Sequence, residues 1–139
     1  MTADMPPIQQ AHDAGLPVFY DQPELCINRY NSLMRMVGPA RGVDLLDQLA
    51  IDIQDARQRI GAAVTIPDWT VVRAQCHILI GVSGTVGAER LQRIAEIVNR
   101  TACEQTDGAE IRVLMPDLLQ QLDRLAAFIA DRRSELPYE

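Results

Sequence analysis

The stretch Gln75-Cys76-His77-Ile78-Leu79-Ile80-Gly81-Val82-Ser83-Gly84-Thr85-Val86-Gly87-Ala88 reads as a helix with two unlike faces. Val72, Cys76, Leu79, Ser83 and Val86 recur at spacings of four, three, four and three, the period of a core-facing stripe. Arg73, His77, Gly81 and Gly84 fall on a second stripe, set to one side of the first and turned toward the rim or solvent. Each glycine inside a helix costs roughly 1 kcal/mol relative to alanine. Both of these lie within two turns of His77 and leave its C-terminal side without crowding side chains. Gly84 and Gly87 mark the end of the helix and its turn. Pro67 and Asp68 mark its start.

The flanking sequence repeats the pattern. A segment over 23–37 carries Cys26, Tyr30, Leu33 and Val37, and Gly38-Pro39 stops it. Over 40–61 the stripe is Gly42, Leu46, Leu49, Ile53, Ala56 and Ile60, closed by Gly61 and then Pro67. Residues 88–104 bury Leu91, Ile94, Ala95, Val98 and Ala102, and Asp107-Gly108 makes the next turn. The last segment, 109–134, uses Ile111, Leu114, Leu118, Leu122, Leu125 and Ile129; Pro116 either kinks it or sets its start at Met115-Pro116. Short connections between amphipathic helices predict an all-α chain. Its architecture is an antiparallel up-down four-helix bundle with a short additional N-terminal helix across one end. Residues 1–21, with Pro6, Pro7, Gly15 and Pro17, read as a flexible arm, and 22–139 as the bundle domain. Trp69 is expected to pack at the top of the bundle.

Composition narrows the function. The 139 residues suit one domain, and aromatic residues make up only 4%, so the core is filled by Leu, Ile, Val and Ala. A formal charge of −6 disfavours nucleic acid and anionic membranes as partners. No apolar run approaches the roughly 20 residues of a membrane span, and the N-terminus has no secretory pattern. Cys26, Cys76 and Cys103 have no metal-type spacing, and each reads as a buried thiol in a reducing compartment, the cytoplasm. Every basic residue is arginine, which excludes Schiff-base and P-loop chemistry.

Imidazole has an unperturbed pKa of about 6.5, so near neutral pH it is largely an uncharged nucleophile. Phosphoryl transfer runs through a loose, in-line transition state in which protein groups mainly position the reactants and neutralise charge. An exposed, uncrowded histidine one turn from an arginine has that chemistry. Residues 71–100 carry a local +2, with Arg73, Arg90, Arg93 and Arg100 against Glu89 and Glu96. This local excess makes a locally positive face on an acidic chain. His12 lies in the arm and is incidental.

The segment resembles the signature of the histidine-containing phosphotransfer (HPt) domains: His-x-Leu-Lys-Gly, then small residues, then Gly-Ala opening the next helix. His77, Leu79, Gly81, Ser83, Gly87 and Ala88 match it in type and spacing. Leu91-Gln92 and the later Leu-Met-Pro-Asp-Leu-Leu stretch resemble the helices that follow in that family. The resemblance implies a cytoplasmic phosphocarrier in a two-component multistep phosphorelay, phosphorylated at His77 and without catalytic turnover of its own. Its implied partners are response-regulator receiver domains and a hybrid sensor histidine kinase. The chain itself would bind no cofactor or metal; a divalent cation is expected on the receiver.

One departure stands out. The family's lysine, three residues after the histidine, is Ile80 here. Arg73 is the candidate to supply the missing charge, and Ile80, Gly81 and Gly84 are the candidate partner-facing positions. The alternative is a degenerate bundle that binds receivers without efficient transfer. A histidine-kinase dimerisation hairpin is disfavoured by Ile78 and by the absence of proline over 78–88. A helical adaptor without phosphate chemistry stays open, and monomer is the expected state.

Overall fold

The computed structural model describes residues 22–104 and 108–136, so the expected arm over 1–21 and most of the turn at Asp107-Gly108 lie outside the described residues. Four helices follow in order: α1 (Ile27–Thr65), α2 (Trp69–Val86), α3 (Glu89–Glu104) and α4 (Ala109–Ser134). No strand occurs among the described residues. Each helix packs on the next, and α4 packs back on α1, which closes a four-membered ring around one core.

The stripes read from the sequence are the core. All six predicted positions over 40–61, all five on α2, and all of those named on α3 and α4 are buried. Ala63, Ile97 and Met115 join them. Tyr30 is buried as expected, with its ring edge-on to Phe128 at a centroid distance of 4.9 Å. Cys26, Leu33 and Val37 are only half-buried, and Cys103, near the end of α3 and off its buried stripe, is exposed rather than buried.

Helix boundaries depart from the sequence expectation in three places. The segment expected over 23–37 begins at Ile27 and forms the first part of α1, set off by non-helical Gly38 (φ 80, ψ 167) before Pro39. Proline disfavours helical dihedrals in the residue before it, and glycine alone accepts this positive φ without strain. Gly61 does not end α1, which runs on to Thr65, because Ile60 and Ala63 continue the buried stripe. Nor does α4 begin at Pro116: it starts at Ala109 and passes through the proline, which is exposed. The missing proline N–H therefore faces the wet side, while Ile111, Leu114, Met115 and Leu118 hold the other side in the core.

Trp69 sits half-buried at the start of α2, its ring lying where a Cβ on Gly108 would stand. Gly108 also takes φ +76, so both the backbone and the space call for glycine. The Arg112 guanidinium lies 6.0 Å from the Trp69 ring centroid. These contacts tie the start of α4 to the start of α2.

Candidate functional site

Helix α2 is fixed at both ends. Asp68 is its N-cap, its carboxylate accepting from the Val71 N–H at 3.3 Å. At the other end Gly87 takes φ 86, and the N–H groups of Gly87 and Ala88 both donate to the Ser83 carbonyl, at 3.0 and 2.9 Å. Cys76 and Leu79 are fully buried between these ends and set the rotation of the helix. Burial pushes the Cys76 thiol up to about 12, so it is neither a nucleophile nor a metal ligand near neutral pH.

With Cys76 facing the core, the adjacent His77, about 100° around the helix, is exposed. Neither His77 nor Arg73 makes a side-chain hydrogen bond or ion pair among the described residues. Arg73 is exposed one turn earlier on the same stripe. The imidazole is thus open to solvent with a free cation on its N-terminal side.

The two glycines separate. A Cβ built on Gly81 meets nothing within 4 Å, so no packing within the chain demands glycine there. A Cβ on Gly84 would stand 3.2 Å from Gln92 Nε2 of α3. The Gly84 carbonyl also accepts from Arg29 Nη2 at 2.6 Å. Gly81 leaves open surface next to His77, and Gly84 lets α2 and α3 approach. Ile80 is half-buried and packs against the core. Ile78, at 46% exposure, is the more accessible apolar side chain beside His77.

The local positive charge is also rearranged. Arg90 is held by Glu24 at 3.2 Å, and its Nε donates to the Gln22 carbonyl at 3.0 Å. Arg93 pairs with Glu96 at 3.7 Å, and Arg29 with Glu89 at 3.6 Å. Arg90 therefore anchors the N-terminal segment, and Arg73 and Arg100 are the cations of this region left without an ion pair among the described residues. The sequence carried no signal for the parts played by Arg29, Gln92 and Glu24. Each depends on where the chain returns in space. Among the described residues, no group of three His, Cys, Asp or Glu side chains gathers as a metal site would. No helix there is long and apolar enough to cross a membrane.

No curated protein matches this sequence. The crystal structure of histidine-containing phosphotransfer protein B (HptB) from Pseudomonas aeruginosa PAO1 superposes with a TM-score of 0.74. It covers 83% of this chain and 98% of that one at 19% identity, a likeness of fold. The Hpt domain family matches residues 44–128, which takes in most of the bundle and the whole of α2 with His77. This match spans more than half of the sequence, and the chain belongs to the Hpt domain family.

Proposed function

We propose that this protein is a phosphocarrier that accepts a phosphoryl group on His77 from a receiver-domain aspartate and donates it to another. A neutral ring nitrogen attacks the phosphorus of the aspartyl phosphate. The N–P bond forms as the O–P bond breaks, and the aspartate leaves as a carboxylate. The return step reverses these bonds. The receiver brings the divalent cation, and this chain contributes position and charge.

One observation carries the reading: His77 is exposed, has no hydrogen-bond partner among the described residues, and lies one turn from the open flank at Gly81. Arg73 is the candidate counter-charge for the phosphoryl oxygens, in place of the lysine that the family signature has where Ile80 stands. Ile78 and Ile80 would give the receiver an apolar contact beside the histidine. The proposed setting is a cytoplasmic monomer, its helices alternating up and down, that receives from a hybrid sensor kinase through that kinase's receiver domain.

The test is transfer from a radiolabelled phosphorylated receiver to wild type and to His77→Gln. Label is expected on the wild type and not on the variant. Arg73→Ala should slow labelling about tenfold, the loss of one charge-assisted contact. Binding of the receiver without any label on wild type would replace this reading with that of a receiver-binding bundle lacking transfer.

A further inference from the structure

The segment that precedes α1 enters the bundle beside α3, on the side nearest α2. Gln22 lines a pocket there with Gln92, Arg93 and Glu96. Arg90 fixes it in place: its Nε donates to the Gln22 carbonyl at 3.0 Å and its N–H to the Pro23 carbonyl at 2.9 Å. Gln92 in turn sits against Gly84 of α2. Gly84 and His77 are two turns apart along α2, about 11 Å. Three extended residues ahead of Gln22 span about 10 Å. The residue at that reach is Phe19, flanked by Val18 and Tyr20.

The surface within that reach suits these side chains. A Cβ on Gly81 would meet nothing within 4 Å, so a ring can lie against the α2 backbone there. Ile80, where the family signature has lysine, is half-buried and lies three residues from His77 and four from Gly84. That spacing turns it to the same side of α2 as Gln92. An aromatic ring carries about 150–250 Å² of surface to bury, and Ile80 gives it a dry seat. Charge agrees as well. Arg73 and Arg100 have no ion pair among the described residues, whereas residues 1–21 carry Asp4, Asp13 and Asp21 and no arginine. Opposite charge draws the segment to this face, and its tether at Gln22 keeps the local concentration high.

We propose that Val18, Phe19 and Tyr20 of this same chain dock over Gly81 and Ile80 and cover His77. The segment then competes with the receiver for the imidazole. Its effect on transfer rests on the reading of His77 as phosphoacceptor; the docking does not. A receiver that binds the bare face displaces the segment, and any change that weakens docking raises the open fraction.

The test is NMR on the full chain, with no receiver present. Nuclear Overhauser contacts are expected from the Phe19 or Tyr20 ring to the Gly81 amide or the Ile80 methyl groups, at every protein concentration. Phe19→Ser combined with Tyr20→Ser should abolish them and shift the Gly81 and His77 resonances. Phosphoramidate should label His77 in that double variant about fivefold faster than in wild type. Absence of ring contacts, with Gly81 and His77 resonances identical in wild type and variant, would overturn the proposal. Contacts that grow with concentration would also overturn it, and would place the segment of a second copy on this face. Equal labelling rates in spite of the contacts would overturn the competition. If the contacts are present and neither protein takes label, the docking stands and the phosphoacceptor reading fails.

Discussion

The two halves of α2 are built for opposite purposes. From Gly84 to Gly87 the helix is locked: Arg29 holds the Gly84 carbonyl, Gln92 packs on the Gly84 backbone, and the Gly87 carbonyl accepts from the Cys26 N–H at 2.7 Å. From Arg73 to Gly81 the outer face has none of this. His77 and Arg73 stand without polar partners among the described residues, and the space at Gly81 is empty. Rigidity is supplied by the core side and the far end, which lets the face around His77 stay bare without loosening the helix. Site and scaffold share one helix but not one set of contacts.

The strongest way to break that division is from beneath. Leu79→Ala removes a fully buried side chain two residues from His77 and should destabilise the bundle by about 2–5 kcal/mol, measured by urea unfolding. Next is the lock itself. Gly87→Ala places a Cβ 2.8 Å from the Cys26 carbonyl oxygen at φ +86, and should cost about 2–3 kcal/mol. A stability equal to wild type would show that Gly87 is not the lock.

Gly81 should respond in the opposite direction. Gly81→Ala meets no atom and should raise stability by about 0.5–1 kcal/mol, since alanine is the better helix former. Gly81→Leu should keep the fold and accept phosphate from a small donor such as phosphoramidate, but lose transfer with a receiver. Equal rates with both donors would show that Gly81 does not provide access for a partner.

The smallest effect lies between α1 and α4, off the helix that carries His77. The Arg57 guanidinium, whose Nε donates to Asp123 Oδ1 at 2.6 Å, holds the Asp123 carboxyl below its ordinary value. A carboxyl lowered by folding stabilises above its unfolded pKa and loses that contribution as pH falls through its folded pKa. Both side chains are well exposed, so the gain is small and screened by salt. Acid unfolding of Asp123→Asn should therefore differ from wild type only by a slightly shallower loss of stability below about pH 4.

What the sequence made legible was whatever repeats along one helix. The buried stripes over 40–61 and on α2, α3 and α4 follow from spacing, whereas of the four positions read over 23–37 only Tyr30 is buried. The exposure of His77 follows from the burial of Cys76 next to it. What it hid depended on the space across from a residue. Gly81 and Gly84 look alike in the sequence, and only the nearness of Gln92 separates them. Arg90 and Arg93 look like a solvated basic face until Glu24 and Glu96 are seen to bind them. Gly61 and Pro116 look like helix ends, yet buried neighbours carry α1 and α4 past both. Ile80 points partly into the core, so the apolar surface beside His77 is shared with Ile78.

The central claim is chemical and local: one phosphoryl group, on the imidazole of His77. Its most direct test is to locate the group by mass spectrometry after incubation with a phosphorylated receiver, with its stability followed in acid and alkali. The account predicts a single acid-labile, alkali-stable phosphoryl group on the peptide that contains His77. A phosphoryl group on His12 or on a carboxylate, or none on any peptide, would contradict it.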